Sequence, residues 1–227
     1  MAKSTPISAA AKKPANLSEA IYALLKKDIV ESRLMPGELL QESFVQERYQ
    51  IGHTPFREAC QRLEAEGFIQ IVPRRGYFVA PFSNKDIRDL FEMRIVMETF
   101  SVELACERSN PNRLDALQRN LAEFTAIKKT RPHNFAQAIN WNNLDFHVQI
   151  SHLSTNDELE KSISRIHNKL MRIIMFTARA SPEDRLLDSI HPNIFDAIKQ
   201  KKTAEARKWM LKDINVARDW IRDFGQS

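Results

Sequence analysis

The sequence predicts a mostly α-helical protein in two parts: a small helical domain with one β-hairpin, then a larger domain built only of helices. Three observations predict this. Residues 54–80 combine an apolar stripe at helical spacing with two short β-type runs. The chain contains no glycine between Gly76 and Gly225. Apolar residues recur at helical spacing over that stretch without a strand pattern, which is typical of an all-α domain.

The chain before residue 53 predicts an arm and two helices. Residues 1–15 are small, polar and proline-containing, so we expect a disordered N-terminal arm. Asn16 and Glu19 have the spacing of a capping box for a first helix. Pro36-Gly37 breaks the chain, and a short helix is expected over about 42–49, before a turn into the next helix.

The next helix has a buried face and a polar, basic start. Thr54 is its expected N-cap, and Pro55 suits the first turn, where a missing N–H costs nothing. The apolar stripe that recurs at helical spacing consists of Phe56, Ala59, Cys60 and Leu63. The stripe leaves an exposed set at or near the helix start, namely His53, Thr54, Arg57 and Gln61.

A β-hairpin is predicted directly after this helix, which Gly67 ends. Its strands are Phe68–Val72 and Tyr77–Ala80, and its tip is Pro73-Arg74-Arg75-Gly76. A helix with a basic start followed by a hairpin with an Arg-Arg-Gly tip is typical of a winged helix-turn-helix. The helix would enter the major groove of double-stranded DNA and the tip would contact phosphate or the minor groove. A plain α+β core is the alternative interpretation.

Residues 54–79, TPFREACQRLEAEGFIQIVPRRGYFV, resemble the TPVREALRRLEAEGLV…RRGxxV signature of GntR-type bacterial transcription regulators. The preceding PGELLQESFVQERYQIG is similar to that family's PGxxLxExxLAxxLGVS. The resemblance covers about 45 consecutive residues without a gap. It implies a sequence-specific, DNA-binding transcription regulator, more commonly a repressor than an activator.

Six residues are the expected DNA contacts: His53, Thr54, Arg57, Arg74, Arg75 and Gly76. Arg57 is the best single candidate for a base or phosphate contact, since Arg can bind guanine O6 and N7 together. The family usually has Ser-Arg where this chain has Gly52-His53, so His53 implies altered or weaker specificity at one operator position. The alternative for Arg74 and Arg75 is that they are simply solvated turn residues.

The domain boundaries are expected at 16–81 for the winged helix, 82–86 for a linker and 87–227 for the helical domain. Ser83 and Asp86 form a capping-box pattern. Breaks in the sequence predict six helices, at about 84–108, 111–130, 132–153, 156–180, 181–200 and 203–223. Asn110, Asn156, Ser181-Pro182 and Thr203 supply start signals for four of these helices.

The helical part resembles the FadR C-terminal (FCD) type of effector domain. The supporting stretches are DIRDLFEMRIVMETFSVELACER, NLDFHVQISHLSTNDEL and HPNIFDAIKQKKTAEARKWMLKD, which are similar to the family's ELYELRxxLExxAAxLAAER, D/N-xx-FHxxLxxxSGNxxL and HxxIxxAIxxGDxxxAxxxMxxH. The count of six helices is similar to the VanR-like subgroup. The resemblance implies a homodimer and a pocket for a small organic acid.

The same resemblance implies a metal site made by Asn143, His147, His191 and Asp213. Asn143 and His147 are four residues apart and so share one helix face. Imidazole with carboxylate suits zinc, nickel or manganese. Asn143 is a neutral ligand, Asp213 replaces the usual His, and Pro192 predicts a kink or helix restart beside His191. The alternative is a metal-free pocket with hydrogen-bonded histidines.

Two arginines, Arg94 and Arg172, are expected to bind the effector. The three histidines outside the predicted metal site are not expected to take part. Arg94 either pairs with Glu98 on a solvated face or points into the bundle and clamps a ligand carboxylate. Arg172 is the second candidate. The remaining histidines share no face with the predicted cluster and are expected to be surface or ordinary polar residues, namely His133, His152 and His167.

The composition argues against a membrane-spanning, secreted or disulfide-bonded protein. The net charge of +5 is modest, so bulk charge alone would not argue for DNA. There is no apolar run long enough to span a membrane and no apolar core of a signal peptide, so we expect a cytoplasmic protein. Cys60 and Cys106 are expected to be small buried hydrophobes rather than a disulfide.

The sequence therefore predicts a dimeric repressor that binds a palindromic operator and responds to a small carboxylate in a metal-containing helical pocket. Two rivals remain. One is a metal-responsive regulator, in which the metal is itself the effector. The other is a helical metalloenzyme with a DNA-binding domain, which would need a general acid or base beside an open metal position.

Overall fold

The computed structural model describes residues 17–49, 52–180 and 190–224. These residues form two compact units. One contains the residues up to 28 together with 37–80, and the other contains 29–36 together with the chain from 81 onward. The predicted N-terminal arm (1–15), the Asn16 cap and the Ser181-Pro182 helix start lie outside the described residues. The predicted fold class, a winged helix followed by an all-helical domain, is confirmed.

The first unit is a helical domain with a three-stranded antiparallel sheet of order β1-β3-β2. Its elements are α1 (Leu17–Val30), β1 (Leu39–Leu40), α2 (Glu42–Tyr49), α3 (His53–Ala65), β2 (Ile69–Val72) and β3 (Gly76–Val79). Val72 pairs with Gly76 and Ile69 with Val79, which sets the register of the predicted hairpin. β1 was not predicted, because two residues carry too short a pattern to be recognised in a sequence.

The apolar stripe of α3 is buried, as its spacing predicts. Phe56, Ala59, Cys60 and Leu63 are all fully buried. The Phe56 ring meets Tyr77 of β3 edge-on at 5.0 Å, so α3 is fixed against the hairpin. Burial raises the pKa of the Cys60 thiol to about 12, and both cysteines are free, as expected.

The prediction that Thr54 caps α3 is wrong. The helix begins at His53, and its N-cap is Gly52, in extended conformation and without a side-chain cap hydrogen bond. Thr54 is therefore the second helical residue, where its hydroxyl is past the capping position. Pro55 still lies in the first turn, where its missing N–H breaks no helical hydrogen bond.

The second unit is a bundle of helices around one apolar core. Its elements are α4 (Asn84–Arg108), α5 (Pro111–Thr130), α6 (Phe135–Leu153), α7 (Asp157–Ala180), α8 (His191–Lys199) and α9 (Thr203–Phe224). The Ser83–Asp86 capping box is present, and Asn110 and Asn156 accept backbone hydrogen bonds at the starts of α5 and α7. No helix in the described part of the chain combines the length and apolar character needed to cross a membrane.

The division between the two compact units falls within α1 and again after Ala80. Residues 29–36, which were assigned to the first domain, belong by their packing to the helical unit. Ile29, Val30 and Leu34 are buried, and the Ser32 hydroxyl donates to the Arg172 carbonyl at 3.3 Å. Helix α4 begins at Asn84 and ends at Arg108, as the helix predicted over about 84–108 does.

Pro192 lies at the start of a helix, which fits the restart predicted beside His191. Helix α8 starts at His191, so Pro192 occupies the first turn, where proline is well tolerated. The helix start fixes His191 at the first position of α8, with its side chain buried.

Candidate nucleic-acid interface and metal centre

The N-terminal end of α3 presents polar side chains to solvent. His53, Thr54, Arg57 and Gln61 are all exposed, on the face opposite the buried stripe. Solvent-facing hydrogen-bonding groups at the start of a helix are what a recognition helix needs in order to read base edges in the major groove. The structure thus leaves the predicted α3 residues available for that contact.

The hairpin tip presents the two predicted arginines. Arg74 and Arg75 are exposed, and the Arg75 guanidinium lies 5.8 Å from the Phe78 ring centre. Arg74 and Gly76 both have positive φ, at 63° and 112°. At Gly76 a Cβ atom would also approach Leu39 Cδ1 to 3.2 Å, so the tight tip depends on glycine here.

Glu42, at the start of α2, contacts the start of the recognition helix. Its Oε1 atom lies 2.5 Å from His53 Nδ1, and Gln46 Nε2 donates to the same oxygen at 3.1 Å. Glu42 is not among the DNA contacts that the sequence predicts. The signal was weak, because eleven residues and a turn separate Glu42 from His53 and no periodicity links them.

In the helical unit, five helices direct polar side chains to one buried cluster. Helix α4 supplies Arg94 and Glu98, α6 supplies His147, α7 supplies His167, α8 supplies His191 and α9 supplies Asp213. All are buried except Asp213, whose side chain is 15% exposed. We call these six residues the buried cluster.

Glu98 lies at the centre of the buried cluster. Arg94 Nε donates to Glu98 Oε1 at 2.6 Å, and His167 Nε2 lies 2.9 Å from the same oxygen. His147 Nδ1 lies 2.7 Å from Oε2. Burial alone would raise the pKa of this carboxyl, but Arg94 and the two histidines hold it well below its usual range. Glu98 is therefore a buried carboxylate whose negative charge is balanced by its buried neighbours, chiefly Arg94.

The other side of the His147 ring faces α8 and α9. His147 Nε2 lies 3.2 Å from one Asp213 oxygen, and His191 Nε2 lies 3.6 Å from the other. Phe146 stacks on the His191 ring at 3.8 Å, with the planes 5° apart, and so fixes its orientation. Two imidazole nitrogens and a carboxylate thus converge on one point.

The three buried histidines have different pKa values. Burial lowers the pKa of His191 to about 3 and that of His167 to about 4. Burial also opposes charge on His147, but Glu98 and Asp213 outweigh it and raise its pKa to about 9. His147 is consequently the protonated ring at neutral pH, in the position where a metal ion would replace that proton.

Two groups of side chains in the described residues have metal-ligand spacing, with ligand atoms within 4.8 Å of one another: Glu98–His147–His167 and His147–His191–Asp213. The first group fits a cation poorly, because the Arg94 guanidinium already bonds Glu98 and adds positive charge beside it. The second group has two imidazoles and one carboxylate, which suits a divalent transition metal and leaves positions open. In that arrangement, Glu98 orients the far side of the His147 ring, as carboxylates commonly do for ligating histidines.

The structure brings together three of the four predicted metal ligands, namely His147, His191 and Asp213. Asn143 is half-buried one turn before His147, and its role as a ligand stays a prediction. Arg94 points into the bundle and pairs with Glu98 there, not on a solvated face as the first interpretation has it; its Nη2 lies 3.5 Å from His147 Nε2. Its contact with a ligand carboxylate stays a prediction.

Arg172 is buried at another level of the bundle. Its guanidinium lies over the Phe82 ring at 5.5 Å, and burial lowers its pKa while the charge of Asp86 opposes that change. Asp86 precedes Arg94 by eight residues, or about 12 Å along α4. A shared effector contact of Arg94 and Arg172 therefore stays a prediction.

The expectation that His167 lies apart from the cluster is wrong. Besides its contact with Glu98, its ring stacks on that of His147 at 5.1 Å. The missed signal was the apolar stripe of α7, since Ile163 and Met171 lie four residues either side of His167 and both are buried. His152 is on the surface beside Glu160, as expected, and His133 is exposed.

Each of the two units matches the model of a known protein family. Residues 17–79 match the model described as bacterial regulatory proteins, gntR family, and residues 89–215 match the FCD domain. These matches define a bacterial transcription regulator with a winged-helix domain and an all-helical effector domain. The chain belongs to the gntR family and carries an FCD domain.

Individual relatives can be aligned with nearly the whole chain. The HTH-type transcriptional regulator YdhC of Bacillus subtilis is 26% identical over 207 residues, which cover 89% of this chain and 90% of the relative. The HTH-type transcriptional repressor RspR of Escherichia coli is 25% identical over 218 residues, which cover 92% and 91%. The solved structure of E. coli McbR/YncC has the same fold, with a TM-score of 0.77 at 22% identity over 92% of this chain and 97% of that one.

The chain is therefore a DNA-binding transcription regulator and not an enzyme. The metalloenzyme alternative is accordingly set aside.

Replacing Glu98 tests how far the buried cluster depends on it. Glu98→Ala leaves Arg94 and protonated His147 buried without their shared carboxylate, so we expect the helical unit to lose about 3–5 kcal/mol of unfolding free energy. Urea unfolding followed by circular dichroism measures this loss. As a control, Asp89→Ala removes an exposed partner of Lys85 on the same helix and should leave the unfolding free energy nearly unchanged. Equal losses for the two variants would contradict the assignment.

Proposed function

We propose that the protein is a homodimeric repressor that binds a palindromic operator in the cytoplasm and is controlled by a small carboxylate metabolite in a metal-containing pocket. The observation that carries the DNA-binding part is the set of exposed side chains on α3 and the hairpin tip. His53, Thr54 and Arg57 lie on one helix end, and Arg74, Arg75 and Gly76 form the tip. In this proposal α3 reads base edges, and the tip contacts phosphate or the minor groove.

The proposed dimer interface is the outer face of α4. Met93, Val96 and Phe100 are 45%, 66% and 48% exposed and recur at i, i+3 and i+7, so they form one apolar stripe. A second copy of this chain is the expected partner, because a two-fold axis pairs the same stripe from both chains and matches a palindromic site. The opposite face of α4 carries Arg94 and Glu98, so one helix links the buried cluster to the proposed interface.

The proposed effector site is built on His147, His191 and Asp213. Zinc, nickel or manganese would suit this donor set. Open coordination positions would accept a carboxylate, and Arg94 lies close enough to His147 to meet it. Binding would change operator affinity only if the ligand prefers one arrangement of the dimer.

A metal-responsive regulator is the second candidate. It is favoured by the state of Arg94, which already bonds both oxygens of Glu98 and so has fewer donors left for an organic acid.

Operator binding tests the first part of the proposal. With a palindrome selected from random DNA, we expect two chains to bind one site, and Arg57→Ala to cost about 1–3 kcal/mol of discrimination at one base of each half-site. Arg74→Ala and Arg75→Ala should each weaken binding to all sequences and reduce the slope of log K against log salt by about 1. Fluorescence anisotropy over a salt series measures both effects.

The controls separate base contacts from general charge and from dimerisation. Arg113→Ala removes an exposed arginine of the helical unit and should leave both the affinity and the salt slope unchanged. Val96→Asp should give a monomer in sedimentation that binds a single half-site. If Arg57, Arg74 and Arg75 variants all bind like the wild type, the proposed interface is wrong.

Metal content tests the second part. After dialysis without chelator, we expect about one metal ion per chain, and none in the His147→Ala/His191→Ala double variant. His152→Ala, which removes a surface histidine of α6, is the matched control. A change in operator affinity on adding metal alone would favour the metal-responsive alternative. A change that also needs a carboxylate would favour the metabolite. A metal-free wild type would overturn the site.

A further inference from the structure

Glu42 places a negative charge where DNA is expected to bind. It is the first residue of α2, and a carboxylate in the first turn of a helix is stabilised by the helix dipole. The helix dipole explains why an acidic residue occurs at this position, but it does not explain why Glu42 contacts both Gln46 and His53. Its Oε1 accepts from Gln46 and lies 2.5 Å from Nδ1 of His53, the first residue of the recognition helix. The His53 side chain is otherwise 76% exposed.

The contact with Glu42 fixes which His53 nitrogen carries hydrogen. An ionised carboxylate can only accept hydrogen bonds, so Nδ1 of His53 must be the donor. In the neutral ring, Nε2 then has a lone pair and is an acceptor. Because Nε2 lies on the side of the ring away from Nδ1, this acceptor is turned away from Glu42.

An acceptor in the major groove discriminates between bases. Adenine N6 and cytosine N4 are donors there, whereas guanine presents the acceptors N7 and O6. An arginine at the same helix position would have the opposite preference, since it carries only donors.

We propose that Glu42 is a positioning residue that sets the tautomer of His53, so that His53 selects adenine or cytosine and rejects guanine at one base of each half-site. The inference rests on the proposed function of α3 as the recognition helix. His53 is the residue that touches the base, and Glu42 acts through it.

The test measures base preference with the full-length protein. Operators are selected from random DNA, and the position read by His53 is the one at which His53→Ala abolishes discrimination. Dissociation constants are then measured for all four bases there. The wild type should prefer adenine or cytosine over guanine by about tenfold or more. His53→Arg should reverse this preference toward guanine.

Variants of Glu42 separate positioning from charge. Glu42→Ala should reduce discrimination at this base to less than about threefold, with other positions unchanged. Glu42→Gln should retain the preference, because the amide oxygen can still accept from Nδ1. Glu47→Ala removes an exposed carboxylate from the same helix and should tighten binding to all sequences alike. Thermal melts check that each variant is folded. If Glu42→Ala is not, Glu42→Leu, which also cannot accept a hydrogen bond from Nδ1 but keeps more of the side chain's volume, should show the same loss of discrimination.

Two results would overturn the inference while leaving the proposed function intact. One is a wild-type preference for guanine at the base read by His53. The other is a folded Glu42→Ala variant with the wild-type preference. A wild type that selects no sequence at all is a different result, because it would overturn the proposed function and this inference with it.

Discussion

The helical unit depends on one buried carboxylate. Burying a charge is costly unless partners replace its hydration, and Glu98 is in contact with Arg94, His147 and His167. Those partners lie on three helices, α4, α6 and α7. The contacts therefore fix the relative register of these helices in a way that apolar packing alone does not. They also fix the ring of His147, whose other nitrogen faces Asp213.

This arrangement explains why a polar site can exist inside an apolar core. Phe146 and Phe91 are almost completely buried close to the cluster, with Phe146 stacked on His191 and Phe91 under the Arg94 guanidinium. Asp213 is the more exposed member and connects the cluster to solvent. Glu98 is enclosed, whereas Asp213 is partly exposed, so the cluster runs from the interior of the bundle toward its surface.

Much of the fold follows from local sequence, whereas the site follows only in part. The stripe from Phe56 to Leu63 and the Ser83–Asp86 capping box are visible because each depends on residues within one helix. The central position of Glu98 and the inward position of His167 depend on how different helices pack, which spacing along one chain does not encode. The resemblance to the family predicted that His147, His191 and Asp213 form one site. Periodicity along the chain could not predict this, because the three residues lie on different helices. Thr54 is not the N-cap because the helix begins one residue earlier than predicted, at His53. The exact first residue of a helix is difficult to predict from sequence.

The most direct measurement is anomalous diffraction at the zinc absorption edge, from crystals of the full chain grown with one equivalent of zinc. The account predicts one peak per chain, about 2.0–2.2 Å from His147 Nε2, His191 Nε2 and an Asp213 oxygen, with Glu98 still beside His147 Nδ1. A peak between Glu98 and His167, or no peak within the helical unit, would contradict it.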